Sequence, residues 1–198
     1  MSKLKNIAVF ASGSGTNFEA IMEAISNKTI KNAKVQILVC DKADAYVLKR
    51  AEKYGIKTFV FNPKDFKKRK DYEVLIKNEL DKLSIDLICL AGYMRIVGDT
   101  LLDSYEGKII NIHPALLPSF KGAHGILDAF NYGVKVFGVT IHYVSKELDG
   151  GKIITQKAFE YYGDDVNQVE EKIHEIEHYL YPYTINFLLE GDKNEIVN

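Results

Sequence analysis

The chain has 198 residues, enough for one domain with a full hydrophobic core. Apolar residues make up 46% and charged residues 27%, an ordinary balance for a globular protein. A net charge of −1 argues against a broad nucleic-acid surface, and no apolar run is long enough to span a membrane.

The N-terminus turns directly into a strand, without a secretory apolar stretch. Cys40 and Cys89 each lie near the end of an apolar run. They read as small core residues of a reduced, cytoplasmic protein rather than as a disulfide.

The first half alternates. Apolar runs at 6–12, 34–40, 56–61 and 85–92 predict strands. Between them, 16–27, 43–55 and 70–84 have helical spacing. Phe18, Ile21, Met22 and Ile25 share one face of the first helix, and Gly55 stands at a C-terminal cap of the second. Strict alternation with nearly all-apolar strands predicts an α/β fold: a doubly wound, mostly parallel, Rossmann-like sheet covered on both faces.

The second half changes character. Runs at 107–113, 134–145 and 151–161 predict strands, the last two flanking KELDG as a hairpin or extended loop. The sheet is therefore expected to continue into antiparallel strands. The alternation in TIHYV predicts a half-exposed strand. Residues 166–189 predict a long helix, kinked or divided at Pro182, and the polar tail 190–198 is expected to fray. With no repeat, linker or low-complexity segment, one domain is expected over 1–198.

Two stretches carry chemistry. SGSGTNF, Ser12 to Phe18, joins the first strand to the first helix, where free N–H groups and the helix dipole favour an anion. Gly13 and Gly15 let the backbone approach a phosphate, and Thr16 or Asn17 can cap the helix or bond a ligand. A dinucleotide fingerprint would need glycine where Phe18 stands, and no lysine comes after the glycines as in a Walker loop. The turn reads as a site for one phosphate monoester, or else as a tight structural turn.

IINIHPALLP ends a buried strand with Asn111 and His113, two apart and so on one side of the strand. The amide can donate to a developing oxyanion and the imidazole can move protons, while Pro114 and Pro118 stiffen the backbone beyond them. Alone, such a pair is as readily loop support. Asp149, before two glycines in ELDGG, supplies a carboxylate that a loop can deliver to the histidine.

Other signals are weaker. HEIEH, His174 to His178, spells a zinc-binding helix motif, but no third ligand accompanies it and no metal is expected. The basic run from Lys64 to Lys70 reads as a solvated helix start. His124 and His142 read as hydrogen-bonding support rather than as catalysts.

SGSGTNFEAI, CDKADAYVLKRA, LAGYMRIV, NIHPALLP, GVTIHYV, ELDGGKIITQ and EHYLYP succeed one another in a familiar order and spacing. In this the chain resembles the phosphoribosylglycinamide formyltransferases, folate-dependent members of the formyltransferase superfamily, along nearly its whole length. The resemblance implies that Asn111, His113 and Asp149 are the catalytic trio. It implies that Gly15, Thr16, Asn17, Phe18, Glu19 and Glu177 bind the phosphoribosylglycinamide acceptor. Arg69, Met94, Arg95, Ile96 and Val97, with Asn111, would line the folate site.

The donor would be 10-formyltetrahydrofolate, a co-substrate, with no metal. The partners would be small molecules, with no nucleic acid or membrane, and the protein a monomer or weak homodimer. The domain would divide into a phosphate-binding half, about 1–110, and a catalytic and folate-binding half, about 111–190. The alternative is a related formyltransferase or deformylase with another acceptor. Ala115, Lys121 and Asp41 depart from the usual pattern, where Ser, Pro and Asn are common, and none belongs to the trio.

Overall fold

The computed structural model describes residues 4–191. Seven strands form one sheet: β1 (Lys5–Ala11), β2 (Ala33–Cys40), β3 (Lys57–Val60), β4 (Leu87–Leu90), β5 (Ile109–His113), β6 (Val136–Tyr143) and β7 (Ile153–Glu160). Their order across the sheet is β3-β2-β1-β4-β5-β6-β7. The first five are parallel neighbours, whereas β6 and β7 run antiparallel. The expected continuation from parallel to antiparallel pairing is thus realised.

Helices α1 (Thr16–Ser26), α2 (Val47–Lys53), α3 (Arg69–Lys82), α4 (Asp99–Ser104), α5 (Gly125–Tyr132) and α6 (Val166–Glu190) complete the chain. Phe18 and Ile21 are fully buried on α1, with Met22 and Ile25 packed partly behind them. Gly55 closes α2 in the left-handed conformation, with Gly55 N donating to Glu52 O and Ile56 N to Ala51 O. Cys40 and Cys89 are buried and free.

Three expectations need correction. The sequence pattern leaves out α4 and α5, which have six and eight residues. Strand β6 is buried over almost its whole length rather than half exposed. Phe137, Val139 and Ile141 enter the core with α6, while Thr140 on the other face holds the 115–117 loop over the sheet. Pro182 does not divide α6, which runs through it. The Tyr181 hydroxyl donates to the carbonyls of Leu90 and Ile110, and Leu180, Tyr181 and Ile185 are buried around the proline. Packing outweighs the one backbone bond that proline removes. The polar tail beyond residue 191 lies outside the described residues.

The sheet positions the site in two ways. Strands β1 and β4 are neighbours whose connections leave in opposite directions, which opens a crevice at their C-terminal ends. On one face, α3 and α4 pack over the core of β1, β2 and β4. Beyond them, a polar stripe on β5 and β6 carries Asn111, His113, Thr140 and His142, paired Asn111 with His142 and His113 with Thr140.

Candidate active site

The Gly-rich turn is fixed from two sides. Val47 N donates to Gly13 O at 3.0 Å and Arg50 Nε to Ser14 O at 2.9 Å, both from α2. From the turn after β4, Met94 N donates to Ser12 Oγ at 2.8 Å, and Ser12 N to Gly92 O at 3.0 Å. Gly15 has φ 76°, and a Cβ there would collide with Val47. As N-cap of α1 it offers no side chain, so the first N–H groups of that helix have no side-chain cap.

A groove of about 320 Å³ opens above this turn, lined by Ser12–Asn17, Lys42, Gly92, Met94, Ile112, Pro114, His174 and Glu177 among others. Glu177 is 5% exposed. Its Oε2 accepts from Asn17 Nδ2 at 3.1 Å and lies 3.0 Å from His174 Nδ1. That hydrogen bond raises the pKa of His174 against the lowering effect of burial. Asn17 Oδ1 is buried with no protein donor, so the groove holds an acceptor for which a ligand can supply the hydrogen.

A second pocket lies on the other side of the β5 end. Tyr93, Arg95, Ile96, Val97, Asn111, His142, Val144 and the loop from Ser145 to Asp149 line it. Here the structure brings the expected trio together and adds a fourth member. The Asp149 carboxylate lies between two imidazoles, 3.6 Å from His113 Nδ1 and 3.7 Å from His142 Nε2. Gly122 N donates to Asp149 Oδ2 at 2.8 Å. Asn111 Nδ2 is 3.2 Å from His142 Nε2.

Carbonyl partners settle both tautomers. His142 Nδ1 is 2.9 Å from Tyr143 O, and a carbonyl only accepts, so Nδ1 carries the proton. Burial lowers the pKa of His142 and favours the neutral ring, leaving Nε2 to accept from the Asn111 amide. His113 Nε2 is likewise 2.8 Å from Phe120 O and donates to it. Both ring nitrogens of His113 therefore face protein groups, and its side chain is 4% exposed. Asp149 lines the pocket, and His113 is packed beside it.

The remaining predicted residues divide. Gly15, Thr16, Asn17 and Glu177 line the groove. The Phe18 side chain is fully buried against Tyr54, so only its backbone faces that turn. The Glu19 side chain pairs with Arg50 and Lys53 and is not among the residues lining the groove. Arg95, Ile96 and Val97 line the second pocket, where Arg95 Nε donates to the buried Asp41 carboxylate at 2.6 Å. Met94 lines the first groove instead, because its backbone is tied to Ser12. Arg69 sits over Gly98 at the start of α4, outside that lining.

His142 is the functional candidate that sequence reasoning undervalued; its signal is the cross-strand register with Asn111. His124 begins α5 on the surface. Among the described residues, no group of three or more His, Cys, Asp or Glu side chains could hold a metal ion. His174 and His178 instead stack on each other, with centroids 6.3 Å apart.

A crevice over an uncapped helix start and an Asn–His–Asp cluster share one strand end, an arrangement suited to group transfer. The formyl transferase family model matches residues 5–185, and the chain belongs to that family. It is 48% identical to the phosphoribosylglycinamide formyltransferase of Bacillus subtilis, over 94% of this chain and 95% of that protein. The crystal structure of glycinamide ribonucleotide transformylase 1 from Geobacillus kaustophilus superposes with a TM-score of 0.91 at 47% identity, covering 94% of this chain and 99% of that one. Phosphoribosylglycinamide formyltransferase from Bacillus halodurans gives 0.91 at 42% identity, over 98% and 100%.

Proposed function

We propose that this enzyme transfers the formyl group of 10-formyltetrahydrofolate to the amine of 5-phosphoribosylglycinamide, a step of purine synthesis. The observation that carries the reading is the shared end of β5. Ile112 and Pro114 line the groove and Asn111 lines the second pocket, which supports a meeting of two ligands across one strand.

The groove suits the acceptor. The uncapped α1 N-terminus, the glycines and Lys42 favour a phosphate, and Glu177 and the unpartnered Asn17 Oδ1 accept from hydroxyl or amine groups. The second pocket suits the donor. Tyr93, Ile96, Val97 and Val144 give apolar walls for a flat heterocycle, and Arg95 gives a cation for an anionic tail.

An α-amine titrates near ~8, so much of the acceptor is already nucleophilic at neutral pH. It attacks the formyl carbon, a C–N bond forms, and the carbonyl oxygen becomes an oxyanion. One N–H of Asn111 is held by His142 and the other donates to that oxygen. A donor so placed is worth about 3 kcal/mol. Asp149 takes the excess proton from the attacking nitrogen, directly or through water, and the carboxyl proton then faces His113 Nδ1, the acceptor behind it. Collapse breaks the bond to the donor nitrogen, which leaves with the proton. Holding both substrates at one strand end removes a further large part of the barrier.

An assay with both substrates tests the reading: formylated acceptor and tetrahydrofolate should appear one for one. Formate released without acceptor would identify a deformylase instead.

A further inference from the structure

Helix α4 starts at Gly98, which has no side chain to cap it. Another helix supplies the missing group. Glu73 of α3 accepts from Gly98 N at 2.6 Å through Oε1, and its side chain is only 3% exposed. Arg69, one turn earlier on α3, lies over the same corner, with Nε 3.9 Å from Glu73 Oε1. A Cβ on Gly98 would stand 2.5 Å from Arg69 Nε and 2.7 Å from Glu73 Oε2. A side chain at 98 would have to displace Arg69 or Glu73 from this corner.

The corner adjoins the second pocket directly. Arg95, Ile96 and Val97 form one wall of that pocket, and Gly98 is the next residue. The wall is thus anchored at both ends: at Arg95 by Asp41, at Gly98 by Glu73. Burial raises the pKa of Glu73, and the Gly98 N–H and the Arg69 guanidinium offset part of that cost.

We propose that Glu73 is a positioning residue for the formyl donor: by capping α4 from α3 it fixes the Arg95–Val97 wall and so sets donor affinity without touching the donor. This rests on reading the second pocket as the donor site. A merely structural carboxylate would change stability and leave the ratio of the two substrate affinities alone.

The test measures donor and acceptor affinity separately, by titration and by steady-state KM, for wild type, Glu73→Ala, Glu73→Gln and Gly98→Ala. Glu73→Ala should weaken donor binding about 10-fold and acceptor binding less than about 2-fold, since small misplacements of a binding wall cost this much. Glu73→Gln keeps an acceptor for Gly98 N and should restore most of the loss. Gly98→Ala pushes the same corner from the other side and should reproduce it, which keeps the test open if Glu73→Ala does not fold. Donor affinity unchanged in Glu73→Ala and Gly98→Ala, both affinities falling together, or no rescue by glutamine would overturn the proposal. A wild type that bound acceptor but not donor would overturn the pocket reading and the proposal with it.

Discussion

Asn111 and His142 face each other across the antiparallel β5–β6 pair, with the amide nitrogen 3.2 Å from Nε2 of the ring. The Tyr143 carbonyl holds the proton on Nδ1, so the ring can only accept from the amide. One N–H of Asn111 is thereby fixed and the other is aimed. Asn111→Ala should lower kcat about 10²–10³-fold, the cost of one oxyanion donor. His142→Ala should lower it by less, about 10-fold, because the donor survives but loses its aim. Saturating kinetics on both variants check this; equal effects would mean that His142 does more than orient the amide.

Asp149 and His113 order themselves in the same way. The carboxylate lines the pocket and the imidazole stands behind it, tied to Phe120 O. Asp149→Asn should therefore lower kcat about 10²–10⁴-fold, the usual worth of a positioned proton acceptor, and His113→Ala by a smaller factor. Neither should change substrate affinity much. A larger loss from His113→Ala would put the imidazole in front.

The histidines give an order of titration that NMR of their ring protons can read. His142 should titrate below the ordinary value near ~6.5 and His174 above it, since burial lowers the first and the bond to Glu177 raises the second. The linked stabilities have opposite signs. The His174 contribution is full below ~6.5 and lost as pH rises through its folded value; the His142 contribution is full above ~6.5 and lost as pH falls through its folded value. His174→Asn should remove the loss of stability that sets in as pH rises above ~6.5. A reversed order of titration would contradict both assignments.

Gly15 ties the turn to α2. With φ 76° and Val47 against the missing Cβ, Gly15→Ala should destabilise the protein by about 1–3 kcal/mol. It should also raise the acceptor KM while sparing the donor KM. Thermal melts and separate KM measurements decide it; an unaffected acceptor KM would detach the turn from acceptor binding.

Much of this was legible in the chain itself. The parallel half is readable from apolar runs such as that ending in Cys40, because strands covered on both faces leave no alternation to misread. The grouping of Asn111, His113 and Asp149 is readable from alternation on one strand and a Gly-flanked loop. The hidden features depend on distant partners. Helix α4 has no cap of its own and borrows Glu73, so its start carries no local signal. Strand β6 looked half exposed because the loop that Thr140 holds over it lies some 25 residues upstream. His142 meets Asn111 through a cross-strand register, and the Glu19 side chain is paired with Arg50 and Lys53.

If donor and acceptor meet at the end of β5, the formyl group passes directly between them. The most direct measurement traces an isotope label in the formyl carbon of 10-formyltetrahydrofolate, with 5-phosphoribosylglycinamide present. The label is expected on the acceptor nitrogen, one for each donor consumed, with none retained by the protein. Label found as free formate, or covalently on the enzyme, would contradict direct transfer.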